Sequence, residues 1–430
     1  MLAFVLTGGL ILLLILGIPV GFSLTLCGAI GYMLNMGAVN GWMNMSVVPL
    51  KMSYSLQNFL LLSIPLFVLA AKIMNSSSIT KRIFSFANNT VGWLPGGLAH
   101  ANIFASLLFA GMSGTAVSDA AGLGQIEISA MTEEGYDADF AAGVTAASST
   151  IGPIFPPSVP MVMYSTISGV SVGSLFLGGV VPGILMTLTM MVLVIVMCKK
   201  KHYKTLPFPG WKIWAVSFRQ ALLPLLTPVI LLFGIWSGVF TATESAVIAA
   251  TYALFVSAVV YKEMSFRRFV QILKETAHDT ANIGFVVAAA AFYGWVLARS
   301  GLTVELADWL LSISSNKIVF MLLINVFFLI IGCFLESIAA IMIFGPIFLT
   351  PAMQIGIDPL AFGLVIVLNL MIGLITPPFG IVLFITQDLA KIDFSRMVKS
   401  VAPYFFPLFG VLILLTFCPQ VATFLPAIAL

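Results

Sequence analysis

Apolar runs of membrane-spanning length follow one another along this chain, and residues that stop helices interrupt them at regular places. Two short runs, 2–17 and 21–35, flank Gly17-Ile18-Pro19-Val20-Gly21. A third span is expected at 54–74, then a polar-streaked helix at 78–92 whose mixed faces suit the membrane interface. A glycine-interrupted apolar stretch occupies 96–131, a fourth span at 138–168 is broken at a Gly…Pro-Pro motif, and a fifth at 174–198 closes the series. The same order then returns. Runs at 221–238 and 243–261 flank Val239-Phe240-Thr241-Ala242-Thr243, and 279–298, 302–313, 317–353, 360–390 and 400–422 repeat the rest.

One offset of 221 residues relates the two series without a gap, carrying Gly17 onto Gly238, Gly111 onto Gly332, Gly124 onto Gly345 and Gly135 onto Gly356. Asp137 falls on Asp358, and Ile151-Gly152-Pro153-Ile154-Phe155-Pro156-Pro157 on Ile372-Gly373-Leu374-Ile375-Thr376-Pro377-Pro378. The expected units are therefore residues 1–205 and 206–430. Doubled hydrophobic segments with matched breaks are the pattern of a secondary transporter, its site lying where the breaks meet.

Composition fixes the class. Hydrophobic residues make up 60% of the 430 and charged residues only 8%, whereas soluble domains carry about 25% charged residues. An all-α polytopic membrane protein is expected. The N-terminus has neither a basic region before its apolar run nor a small-residue cleavage site, so 2–17 reads as a retained span. The four cysteines are scattered through apolar segments without metal spacing and read as packing residues.

Charge placement adds topology. If 96–131 and 317–353 are re-entrant hairpins, each half has five crossings, and the second half is inverted relative to the first. With the N-terminus outside, all but three of the 19 Lys and Arg residues then fall inside, leaving Lys51, Arg299 and Lys317 outside. That distribution satisfies the positive-inside rule at every loop. Hairpin 1 would open to the cytoplasm, hairpin 2 to the opposite face, and both termini would be external. The polar link at 199–219 holds six basic residues and no acid. It reads as a topology determinant, with no nucleic-acid partner implied.

Candidate chemistry concentrates at the breaks. Prolines remove helix donors and disfavour α geometry at the preceding residue. Carbonyls around Gly152, Phe155 and Pro156, and around Gly373, Thr376 and Pro377, are thereby freed to ligate Na⁺, about two ions for two matched sites. The half-helix that restarts after Pro157 and Ser158 offers free N–H groups to an anion. A mere proline kink is the alternative. At the hairpin tips stand Ser113-Gly114-Thr115, followed by Asp119, and Glu336-Ser337. Ser113 and Thr115 either ligate or bond back to their own helix; Asp119 and Glu336 either cap a half-helix or serve ion and coupling roles. Ser148, Ser149 and Asn369 face the same layer as coupling or substrate candidates. Glu133, Glu134, Asp137 and Asp139 read as solvated or capping, and Glu244 as the cap of the helix it begins. With almost no Lys or Arg expected in the core, the anion is expected on half-helix N-termini and hydroxyls. No Walker A, zinc or nucleophile-elbow motif occurs, so an ion gradient is the default energy source. A channel would lack a reason for doubled hairpins, and an enzyme built on Asp119 and Glu336 has no motif behind it.

At these motifs the chain resembles the large membrane subunit of tripartite ATP-independent periplasmic (TRAP) transporters, the DctM type. The resemblance rests on 111–123 (GMSGTAVSDAAGL), 147–160 (ASSTIGPIFPPSVP), 238–252 (GVFTATESAVIAATY) and 373–380 (GLITPPFG), and it extends over essentially the whole chain. It implies an elevator-type, Na⁺-coupled transporter of organic acids in a bacterial inner membrane. The implied partners are a four-helix small membrane subunit, here a separate chain, and a periplasmic substrate-binding protein. By motif, Ser113, Thr115 and Asp119 would belong to the first hairpin's ion and substrate layer, Gly152, Phe155 and Pro156 would supply carbonyls, and Gly373 and Thr376 would serve the second ion site. The second hairpin commonly has Asp where this chain has Glu336.

Overall fold

The computed structural model describes residues 2, 4–37, 43–201, 203, 207–305 and 316–429. Among them there is helix but no strand. A π-helical turn, Phe4–Gly9, runs into α1 (Leu10–Ile15), and α2 (Val20–Met36) starts after Pro19. The span expected at 54–74 is two helices. α3 (Val47–Ser55) and the segment Phe59–Asn75, which ends in α4 (Ser63–Asn75), are bent by 64° at the intervening break. The polar-streaked helix expected at 78–92 is α5 (Ile79–Val91), its apolar side buried through Ile83, Phe84 and Ala87. Hairpin 1 comprises α6 (Gly97–Ser113) and α7 (Ala116–Glu133). The broken span comprises α8 (Ala138–Ser149) and α9 (Val159–Ser168), and α10 (Val172–Lys201) closes the half.

The second series follows as α11 (Trp211–Trp236), α12 (Ala242–Phe255) and α13 (Phe266–Arg299). α13 begins well before the expected 279, because Ser265 caps it by accepting the Arg268 N–H. Most of the helix expected at 302–313 lies outside the described residues. Hairpin 2 is α14 (Lys317–Gly332) and α15 (Ser337–Gln354), and the second broken span is α16 (Pro359–Gly373) and α17 (Ile381–Ala390). α18 (Phe394–Val401), α19 (Phe405–Phe417) and a C-terminal α20 (Gln420–Ala429) complete the chain. Shifted by the offset, both ends of α7 coincide with those of α15, and cis peptides occur at Pro156-Pro157 and Pro377-Pro378 alike.

Among the described residues six helices are long and apolar enough to cross a bilayer, and the bent pair that includes α4 makes a seventh candidate. Burial separates an outer layer from an inner one. Outer helices such as α11 show rows of exposed apolar side chains, whereas Leu360–Gly373 of α16 and Phe140–Ser149 of α8 are buried on every side. A helix that is apolar and enclosed all round belongs at a core. Around it the halves exchange contacts symmetrically: α7 packs on α17, and α15 packs on α9. Tyr164 of α9 donates to the Pro359 carbonyl at 2.7 Å, tying one broken span to the other.

Candidate ion and substrate site

Hairpin 1 turns at Gly114, which closes α6 in the left-handed region at φ +64. Thr115 is extended and caps α7, its Oγ1 accepting the Ser118 N–H at 3.2 Å. This tip sits on the break of its own half. The Val159 N–H donates to the Gly114 carbonyl at 3.2 Å. A methyl at Gly114 would stand 2.8 Å from the Pro157 oxygen, and one at Gly152 would stand 3.5 Å from the Thr115 oxygen. Only glycine at 114 meets both the positive φ and the close approach. The Pro156 carbonyl faces Gly111, and the Ser113 Oγ is buried without a hydrogen-bond partner. Gly152, Pro156, Pro157 and Ser113-Gly114-Thr115 are thus brought to one oxygen-rich junction. Phe155 packs its ring against Gly183 of α10, while its N–H donates to Ile151. Two other hydroxyls are engaged locally: Ser149 donates to the Ala146 carbonyl at 2.8 Å, and Ser158 donates to Pro153 and caps α9.

Hairpin 2 meets its break differently. Gly332 and Gly373 touch backbone to backbone, and the Thr376 hydroxyl donates to its own helix at Ile372, 2.7 Å away. The Gly380 N–H donates to the Thr376 carbonyl beyond Pro377. Glu336 occupies the N-cap position of α15, matching Thr115 in the repeat, and its carboxyl lies against the Ile338 N–H in the first turn of that helix. With Ser337 it faces Thr115, Pro153, Met371 and Leu374 around a small cavity of about 40 Å³ between the two tips.

Behind the junctions lie two polar networks, one through Ser148 and one through Asn369, the pair of positions that the offset matches. Ser148 donates to Asn102 Oδ1 at 2.7 Å, and Asn102 donates to Thr145, joining α8 to α6. Asn369 donates to Asn325 Oδ1 at 2.8 Å, and Asn325 donates to Thr416, joining α16 to α14 and α19. Asp119 is buried in the first turn of α7 near Ser106, and one of its oxygens, like one of Glu127, has no hydrogen-bond partner. Since Thr115 makes the cap, Asp119 is not needed for it. Glu244 does cap, in a reciprocal box with Thr241. Asp139 is neither merely solvated nor a cap, because Arg396 pairs with it.

A cavity of about 650 Å³ opens beside the tips. The hairpins line it through Ser113, Thr115, Ser118, Gln125 and Glu336; α4 contributes Lys72 and Asn75, and α13 contributes Asp279 and Asn282. Lys72 Nζ lies 2.8 Å from Asp279 Oδ2. The sequence placed Lys72 among loop charges, so the cavity has a cation that motif reading missed.

The family model for the tripartite ATP-independent periplasmic transporter, DctM component, matches residues 7–421. The chain belongs to the DctM family. This DctM chain is 44% identical over 418 residues to the sialic acid TRAP transporter large permease SiaM of Vibrio cholerae, covering 97% of each. It is 37% identical over 377 residues to the C4-dicarboxylate TRAP transporter large permease DctM of Pseudomonas aeruginosa, covering 88% of each. In fold it is similar to the crystal structure of the Alcanivorax borkumensis YdaH transporter, with TM-score 0.65 and 16% identity over 89% of each chain. A DctM component is a permease of a membrane transporter and not an enzyme.

Proposed function

We propose that this permease drives uptake of an organic acid anion across a bacterial inner membrane by coupling it to Na⁺. The observation that carries the proposal is the pair of tip-on-break junctions beside one polar cavity. At the first, the carbonyls of Thr115, Pro156 and Pro157 and the unpartnered Ser113 hydroxyl form a hard-oxygen donor set, the chemistry a desolvated Na⁺ requires. At the second, the backbone around Gly332, Gly373 and Thr376 supplies carbonyls, with Glu336 nearby. Asp119, buried behind the first junction, would couple ion occupancy to hairpin 1. The lipid bilayer forces such irregular backbone to be enclosed by protein, as it is here.

The two halves, 1–205 and 206–430, are read as inverted repeats, with hairpins entering from opposite faces and both termini periplasmic. The inner layer of hairpins and broken spans would move as one cargo-carrying body against the outer helices, an elevator. A small DctQ-type membrane subunit would seat on the outer layer, and a periplasmic DctP-type binding protein would deliver the substrate.

The test is uptake into proteoliposomes holding this chain with its small subunit, fed by the cognate binding protein. Uptake is expected to need all three proteins and an inward Na⁺ gradient. Uptake by this chain alone, or uptake unchanged when K⁺ replaces Na⁺, contradicts the proposal.

A further inference from the structure

We propose that Lys72 reads the substrate's carboxylate from the outer layer, and that Asp279 holds this cation until the substrate displaces it. The proposal rests on the 650 Å³ cavity being the substrate chamber. Lys72 is the cation among its lining residues, against Asp279 and Glu336 as acids. An anion entering a chamber so lined meets net repulsion unless it takes over the cation. The geometry permits the takeover. Lys72 Nζ stands 2.8 Å from Asp279 Oδ2 and 3.8 Å from Glu275 Oε2, and its side chain is 25% exposed while that of Asp279 is 44% exposed. Asp279 can therefore swing back to water, whereas the more enclosed ammonium needs a partner throughout. A substrate carboxylate replaces an aspartate carboxylate, and the charge-assisted hydrogen bond is never lost.

The same lining specifies the ligand class. With one cation available, one carboxylate is recognised. The rest of the ligand faces the Asn75 and Asn282 amides, the Ser118 hydroxyl and the Glu336 carboxyl, groups that pair with hydroxyls and N–H donors. The chamber thus fits a monocarboxylate rich in hydroxyl or amide groups, and a second carboxylate would sit against Glu336.

The experiment is titration of the purified two-subunit membrane complex in Na⁺ with N-acetylneuraminate, succinate and isethionate. Wild type is compared with Lys72→Gln, Lys72→Arg, Asp279→Asn and the double variant, all at wild-type melting temperature. Lys72→Gln is expected to weaken the monocarboxylate about tenfold or more, the size of a lost charge-assisted bond. Lys72→Arg is expected to recover part of the loss, Asp279→Asn to bind as tightly or more tightly, and the double variant to match Lys72→Gln. Equal weakening in both single variants with recovery in the double would make the pair a structural bridge and overturn the proposal. Succinate binding more tightly than N-acetylneuraminate would overturn the ligand class. A wild-type complex that binds none of the three acids overturns this proposal, while the transport reading stands or falls on the uptake assay.

Discussion

Gly332 at the end of α14 and Gly373 at the end of α16 meet backbone against backbone, so closely that a methyl on Gly373 would stand 2.5 Å from the Gly332 Cα. The matched glycine of the first half, Gly152, has more room, its nearest heavy atom being the Ser149 oxygen at 3.3 Å. Overpacking against backbone costs about 1–3 kcal/mol, since no side chain can turn aside. Gly373→Ala is expected to lower the melting temperature of the purified protein and to abolish uptake, while Gly152→Ala keeps a melting temperature near wild type. Thermal unfolding in detergent checks this, and equal losses in the two variants would contradict it.

The Arg396 guanidinium grips Asp139 with Nε at 2.9 Å from one carboxylate oxygen and Nη2 at 2.8 Å from the other, joining α18 to α8 across the halves. The arginine side chain is 58% exposed, so solvent screens the pair. Exposed ion pairs contribute about 0.2–1 kcal/mol. Arg396→Lys keeps the charge but loses the fork. The lysine variant is expected to melt slightly lower in low salt, with the gap closing in 1 M salt, a concentration at which the Debye length falls to about 3 Å. A gap that persists in high salt would place the loss in packing.

Glu263 fastens the loop after α12 to the start of α5, accepting the Ser78 N–H at 2.6 Å. Burial pushes its carboxyl up, but the Ser78 hydrogen bonds and the Arg82 and Lys81 charges outweigh that and leave it below the usual carboxylate range. A folded-state value below the unfolded one stabilises the protein above the unfolded value, about 4.3, and this stabilisation fades as pH falls through the folded value. Glu263→Gln is therefore expected to melt lower than wild type at pH 7 and to converge with it as pH falls through the folded value. Parallel melting curves across that range would show that the charge plays no part.

Asp119→Ala is expected to abolish Na⁺-dependent uptake with the fold intact. Thr115 keeps the cap of α7, and Ser106, the hydroxyl beside this carboxylate, keeps its hydrogen bond to Ser148 when the carboxylate is removed. Uptake assays beside a melting curve separate the two roles. Retained uptake with unchanged Na⁺ dependence would leave Asp119 without a coupling function.

The breaks were legible because glycine and proline act locally: Gly114, Gly152, Pro156-Pro157 and Pro377-Pro378 punctuate the helices where their own backbone constraints require. The capping box at Thr241 and Glu244 was legible for the same reason. The cavity was not, because Lys72, Asn75, Asp279 and Asn282 reach it from helices of different halves, and no spacing along the chain records that meeting. Hydroxyl direction was also hidden. Ser149 and Thr376 bond to their own helices, Ser148 bonds across to Asn102, and nothing in the residue types distinguishes those fates.

The central claim, that the tip-on-break junctions bind Na⁺, is tested most directly by the melting temperature of the purified protein in NaCl against KCl at equal ionic strength. A ligand that binds only the folded state stabilises it by RT ln(1 + [L]/Kd). The melting temperature is expected to climb with Na⁺ but not with K⁺, and the climb to shrink in Ser113→Ala. Melting temperatures that rise equally in both salts would contradict it.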